Sequence, residues 1–115
     1  MRAGAIVTAA ALVSLAAAPA RADDVPEINV DPVCHGIAQQ ASTAAERGNI
    51  DLTFSQCVQS EQKMRSKLVG EWSTFTPGET ANCVNVEKSG PLPSYTDLAT
   101  CLEMARAARQ MNQGK

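Results

Sequence analysis

Four cysteines restrict most strongly what this chain of 115 residues can fold into. Cys34, Cys57, Cys83 and Cys101 are separated by 22, 25 and 17 intervening residues. Structural zinc sites usually bring cysteines in close pairs, and redox and haem motifs also need short spacings. The wide spacing therefore argues against a metal or cofactor bound by these cysteines. It favours disulfides, provided that the chain reaches an oxidising compartment.

The first 22 residues have the pattern of a cleaved signal peptide. Arg2 supplies a positive start, residues 5–18 form an apolar run, Pro19 follows the run, and residues 20–22 fit a cleavage site. The run is shorter than the roughly 20 residues of a membrane-spanning helix. The alternative is an uncleaved anchor. We predict cleavage, a periplasmic or secreted protein, no stable membrane anchor afterwards, and two disulfides.

Composition limits the partners and the core of the mature chain, residues 23–115. Without Arg2 and Arg21, eight basic residues face twelve acidic ones, a formal net charge of −4. Such a balance argues against nucleic acid and against a polybasic membrane-binding surface. Leu, Ile, Val and Phe supply only 17 of its residues. A domain with so little apolar material gains stability from covalent links.

Two helices are predicted after a flexible leader at residues 23–30. The first runs from Pro32 to about Arg47, with Asp31 as its cap. The second has a capping box at residues 53–56, followed by apolar residues at helical spacing to about Thr74.

Two more helices complete the predicted domain, residues 31–111. Thr76 and Glu79 form a capping box that opens the third helix, which ends near Lys88. Ser94 and Asp97 form a box that opens the fourth. No segment shows the alternation of a strand. The predicted fold class is all-α, a small four-helix up-and-down bundle closed by two disulfides.

Helix geometry suggests which cysteines pair. With short connections and about 1.5 Å of rise per residue, Cys34 and Cys83 lie at similar heights, and so do Cys57 and Cys101. A disulfide needs Cα atoms within about 7 Å. We therefore predict the pairs Cys34–Cys83 and Cys57–Cys101.

Candidate catalytic residues occur without a recognisable setting. His35 is the only histidine, and near a helix start it is more often solvent-facing than a general base. Carboxylate pairs for glycoside hydrolysis could come from five glutamates, Glu61, Glu71, Glu79, Glu87 and Glu103. Three methionines, Met64, Met104 and Met111, could bind copper but more often fill cores. We predict no catalytic, cofactor or metal site and no enzyme.

Three aromatic residues offer a candidate partner surface. Trp72 and Phe75 lie at the end of the second helix, and Tyr95 lies at the start of the fourth. Exposed aromatic residues mark binding surfaces. In a chain with few aromatic residues they more often anchor the core.

Two stretches carry a resemblance to a known group. One runs from Cys57 through Trp72 to Phe75, and the other reads Pro-Ser-Tyr-Thr-Asp-Leu-Ala-Thr-Cys-Leu-Glu-Met over residues 93–104. Together with Cys83-Val84 they look like a group of small exported alphaproteobacterial proteins. The resemblance covers residues 54–109 and implies an exported helical disulfide protein without a particular activity.

A second similarity concerns the helix from Cys57 to Trp72. A cysteine-flanked helix with a late tryptophan is similar to the helical lysozyme inhibitors. The predicted function is a binding or accessory role in the cell envelope, with an unidentified protein partner. The alternatives are an inhibitor of a cell-wall hydrolase and a carrier of a small ligand or metal.

Overall fold

The computed structural model describes residues 25–40 and 50–114, together with Gly4, Ala10 and Ala11. Within these residues the protein is all-α, as predicted. The elements are α1 (Asp31–Gln39), α2 (Ile50–Glu71), a 3₁₀ turn (Trp72–Thr74), α3 (Pro77–Ser89) and α4 (Tyr95–Gln113). The remainder of the predicted signal peptide lies outside the described residues, and so does Arg47, the predicted end of the first helix, whereas α1 already ends at Gln39.

The start of α1 differs from the prediction by one residue. Val30 is the N-cap and Asp31 is already helical, so Asp31 is not the cap. The Asn29 side chain accepts a hydrogen bond from the Asp31 backbone N–H at 3.1 Å. Pro32 lies in the first turn, where its missing N–H costs nothing.

The start of α2 was predicted wrongly. The helix already includes Ile50, so Thr53 lies inside it and the capping box at residues 53–56 does not open it. Between Ile50 and Thr53 the sequence has no proline or glycine to stop a helix from extending backwards. The predicted end at Thr74 is confirmed, since the 3₁₀ turn finishes there.

Each disulfide joins two consecutive helices. Cys34 of α1 is bonded to Cys57 of α2, and Cys83 of α3 is bonded to Cys101 of α4, with Cα–Cα distances of 5.5 and 5.7 Å. The predicted pairing of the first cysteine with the third and of the second with the fourth is therefore wrong.

For Cys34 and Cys57 the predicted heights were wrong because α1 ends at Gln39 and α2 already includes Ile50. Cys34 lies about 8 Å before the end of α1, and Cys57 lies about 10 Å beyond Ile50. Similar distances from a shared connection bring two residues of an antiparallel pair together. Cys83 and Cys101 show the same relation, since each lies about 9 Å from the helix end that faces the connection.

The four helices of the described residues therefore form two disulfide-closed pairs. Hairpin one is α1 with α2, hairpin two is α3 with α4, and α2 packs against α4 to join them. The core lies mainly at this joint and along both disulfides. Its buried apolar residues are Val25, Val30, Cys34, Ala38, Leu68, Phe75, Cys83, Tyr95, Leu98, Ala99 and Leu102.

Residues 25–30 pack on the core as an extended strap. Val25 and Val30 are only 2% and 3% exposed. The prediction of a flexible leader is therefore wrong for the strap, whose apolar side chains find room in the core. Asp23 and Asp24, the first two residues of that leader, lie outside the described residues.

Polar contacts fix the strap as well. The backbone N–H of Ile28 donates to the Tyr95 hydroxyl at 2.9 Å, and this hydroxyl donates to the Pro26 carbonyl at 3.2 Å. Glu27 accepts a hydrogen bond from Arg65 of α2 at 2.9 Å. The strap is thus attached to both hairpins.

Candidate functional site

An open groove lies where α2 ends and α3 begins. Its volume is about 470 Å³. One face of α3 forms a wall, because positions three and four apart lie on the same side of a helix. The lining is apolar except for two hydroxyl side chains and consists of Trp72, Ser73, Phe75, Pro77, Thr80, Ala81 and Val84.

The aromatic end of the groove is held from α4. Phe75 is 6% exposed, and the guanidinium carbon of Arg106 lies 4.7 Å from the centre of its ring. Arg106 also donates a hydrogen bond to the Thr74 hydroxyl at 2.8 Å. A cation over an aromatic face is attracted by the ring, so Phe75 has little freedom to leave its position.

The start of α3 is held by a capping box, as predicted. The Thr76 hydroxyl accepts from the Glu79 backbone N–H at 3.2 Å, and the Glu79 carboxylate accepts from the Thr76 N–H at 2.8 Å. Arg109 of α4 donates to Glu79 at 3.3 Å and to the Thr74 carbonyl at 3.1 Å. Arg106 and Arg109 of α4 therefore hold the turn between α2 and α3, which forms one end of the groove.

These contacts change the proton affinity of Glu79. The hydrogen bond from the Thr76 backbone lowers the pKa of Glu79, and Arg109 lowers this pKa further against the opposing effect of burial. The carboxylate is charged at neutral pH and remains a hydrogen-bond acceptor there. The box is therefore fully formed under neutral conditions.

A second polar cluster, the α4 junction, lies at the start of α4. Glu61 of α2 accepts from the Tyr95 N–H at 2.6 Å and from the Thr96 N–H at 3.3 Å, and also from the Thr96 hydroxyl. Glu87 of α3 accepts from the Ser94 N–H at 2.6 Å. A helix start leaves its first amides without partners inside the helix. Here two carboxylates from other helices bind them.

The predicted capping box of α4 is half present. The Ser94 hydroxyl accepts from the Asp97 N–H at 3.0 Å, which confirms Ser94 as the cap. The Ser94 N–H does not go to Asp97, because Glu87 binds it instead. Glu61 and Glu87 are 6% and 8% exposed, so the junction lies inside the protein.

The environment of Glu87 makes its carboxyl group hold a proton more tightly than usual. Burial raises the pKa of Glu87, the Ser94 N–H opposes this rise, and the negative charges of Asp97 and Glu61 raise the pKa further. Among the ion pairs between described residues, neither Glu61 nor Glu87 has a partner. The junction thus differs from the Glu79 site, which has an arginine.

The structure separates the three predicted surface aromatics. Trp72 is half-buried and lines the groove together with Phe75. Tyr95 is fully buried in the core and bonded to the strap, so its assignment to a partner surface is wrong. Its burial agrees with the alternative use as a core anchor, and the strap covers it.

The other candidates do not gather at the groove. His35 is exposed and stacks on Phe54, with ring centroids 4.2 Å apart. Met104 and Met111 are 68% and 70% exposed, whereas Met64 packs against the core. Within residues 25–40 and 50–114 no three histidine, cysteine or acidic side chains converge as metal ligands. In the same part of the chain, no helix combines the length and apolarity needed to cross a membrane.

Comparisons with family models, with curated proteins and with solved structures give no match. The resemblance of residues 54–109 to a group of small exported proteins therefore stays a prediction.

Sequence reasoning missed the joint role of Glu61 and Glu87. The sequence offers both as candidates for a catalytic carboxylate pair, and the structure places both at a helix start. The sequence signal available was the Ser94–Asp97 pattern, which marks a helix start that needs acceptors. This pattern did not indicate which residues supply the acceptors. Glu61 lies 34 positions before Tyr95, and Glu87 lies 7 positions before Ser94.

Proposed function

We propose that this chain is a non-enzymatic exported protein with a binding role in the cell envelope, and that the groove at Trp72 binds an apolar segment of another protein. The groove carries the proposal, because it is an apolar concave surface on a firmly held base. Tryptophan is among the residues that contribute most to the affinity of protein interfaces.

The shape of the groove favours a peptide segment over a small molecule. Small-molecule sites bury about 70–90% of the ligand surface, whereas this groove is open to solvent. Apolar side chains of an extended segment can lie against Trp72 and Val84. The hydroxyls of Ser73 and Thr80 are available to its backbone.

Export is supported by the cysteines and by the sequence of the first 22 residues. Two disulfides suit an oxidising compartment and would be unusual in a reducing one. The predicted signal peptide would deliver the chain there. A periplasmic or secreted location is part of the proposal.

Crosslinking from inside the groove identifies the partner. A photo-reactive amino acid is placed at Ala81, which lines the groove, or at the neighbouring exposed Asn82, which does not. We expect a crosslinked protein from Ala81 and none from Asn82 in cells that produce the chain. Equal capture from both positions would count against a role for the groove.

Binding of the purified partner then measures the contribution of the groove. Trp72 is the sole tryptophan of the chain. After the fluorescence of the partner is subtracted, the remaining tryptophan signal should change when the partner occupies the groove. Val84→Glu should weaken binding at least tenfold, about 1.4 kcal/mol. Asn85→Glu, on the same helix outside the groove, is the matched control and should bind normally. Equal affinities of the two variants would contradict the proposal.

The alternatives have their own outcomes. If the crosslinked partner is a cell-wall hydrolase and the purified chain abolishes its activity, the chain is an inhibitor of that enzyme. A change of Trp72 fluorescence with an apolar small molecule alone would indicate a carrier. Either result would replace an accessory binding role by a more specific one.

A further inference from the structure

We propose that the α4 junction is a proton-uptake device: the carboxyl group of Glu87, buried beside Glu61 and Asp97, takes up a proton as the pH falls, and this uptake stabilises the folded protein. The inference is independent of the proposed binding function. It rests on the arrangement of Glu61, Glu87 and Asp97 around the first residues of α4.

The two buried carboxylates have unequal support. Glu61 accepts three hydrogen bonds, two from backbone N–H groups and one from a hydroxyl. Glu87 accepts one, from the Ser94 N–H. Hydrogen bonds to the charged form favour that form, while burial disfavours it. Glu87 therefore has fewer hydrogen bonds to offset its burial than Glu61 has.

The charged groups around Glu87 increase this difference. Asp97 faces it from α4 and Glu61 faces it from α2, and both raise the pKa of Glu87. Arg65, one turn beyond Glu61, donates to Glu27 of the strap at 2.9 Å. Among the described ion pairs no cation neutralises the junction. Protonation of Glu87 removes one of three neighbouring negative charges.

Protonation does not require the junction to break. A neutral carboxyl group keeps acceptor capacity for the Ser94 N–H and gains an O–H donor. A neighbouring carboxylate is a strong acceptor for such a donor. The acid form of Glu87 is therefore compatible with the capped start of α4.

The sign of the pH effect follows from the raised pKa of Glu87. The folded protein binds this proton more tightly than the unfolded chain does, so protonation favours folding. The destabilisation by the buried charge is present at neutral pH. It disappears as the pH falls through the raised folded pKa towards the ordinary value of 4.5.

The test compares wild type with Glu87→Gln at pH 7 and pH 5 by urea unfolding. The amide cannot take up the proton, so the ratio of the two unfolding constants should shift in favour of wild type as the pH is lowered from 7 to 5. Glu103→Gln is the matched control, an exposed glutamate bonded to Lys67, and should follow wild type. Parallel pH profiles of wild type and Glu87→Gln would overturn the proposal.

A measurement on the wild-type protein does not depend on the folding of any variant. Carbon NMR of the glutamate carboxyl groups gives the midpoint of Glu87 titration directly. A midpoint above 4.5, the ordinary value, supports the proposal. A midpoint at or below that value overturns it.

Discussion

The starts of α3 and α4 carry nearly the same sequence signal but are stabilised in different ways. At α3, Thr76 and Glu79 bind each other's backbone N–H groups within four residues. At α4, Ser94 binds the N–H of Asp97, but Glu61 and Glu87 from other helices bind the amides that remain. A capping pattern thus predicts where a helix begins without predicting which residues complete the cap.

The two starts also differ in electrostatics. Arg109 lies beside Glu79, and the pKa of Glu79 is lowered first by the Thr76 backbone and then by this arginine. Burial and two negative neighbours raise the pKa of Glu87. One start should therefore be weakened by acid and the other strengthened. The difference arises from tertiary packing, because the local residue types are similar.

Among the substitutions at the two helix starts, removal of the Glu61 carboxylate should lower the free energy of unfolding most. Glu61→Ala leaves the buried Tyr95 N–H and the groups of Thr96 without their acceptor. We expect the free energy of unfolding at pH 7 to fall by about 2 kcal/mol, since an unpaired buried donor costs about 1–3 kcal/mol. Urea unfolding followed by circular dichroism measures the change.

The matched control for Glu61 is Glu103→Ala. Glu103 lies on α4, is 45% exposed and pairs with Lys67. Exposed pairs of this kind contribute about 0–1 kcal/mol. Equal destabilisation by the two alanine variants would show that the α4 start does not depend on Glu61.

A smaller effect is expected at the start of α3. Glu79→Gln weakens the acceptor for the Thr76 N–H and the pair with Arg109, so the protein should be less stable at neutral pH. Because the folded pKa of Glu79 is lowered, its contribution is present above the ordinary value of 4.5 and is lost as the pH falls through the folded pKa. Melting curves should converge in acid. A gap between wild type and variant that widens in acid would contradict this account.

Local signals explain how much of the fold could be predicted. The box at Thr76 and the cap at Ser94 are correct because their hydrogen bonds join residues close in sequence. The prediction that α2 begins at Thr53 was wrong, because the same pattern also fits a helix interior when nothing upstream stops the helix. The strap could not be predicted because it is held in place by Tyr95, which lies 67 residues away from Ile28 in the sequence.

The candidate site could be predicted in part. Trp72 and Phe75 lie at a helix end beside a turn, and both line the groove, although Phe75 is also a buried core residue. The supporting roles of Arg106 and Arg109 could not be foreseen, since they depend on how hairpin two folds back on the end of α2. Tyr95 has a similar position at a helix start and is nevertheless buried.

The disulfide pairing shows how an error in helix bounds is amplified. A first helix extended to Arg47 and a second begun at Thr53 changed the relative heights of Cys34 and Cys57 by more than a disulfide can span. With α1 ending at Gln39 and α2 including Ile50, the same arithmetic places them side by side. The rule for helix rise was sound, and the predicted bounds of the first two helices were wrong.

The arrangement of the groove and the α4 junction depends on each disulfide closing its own hairpin. Trypsin separates the four cysteines, because Arg47, Lys63 and Lys88 lie between successive cysteines. Mass spectrometry of the unreduced digest should find Cys34 joined to Cys57 and Cys83 joined to Cys101. A peptide joining Cys34 to Cys83 would contradict the two-hairpin fold.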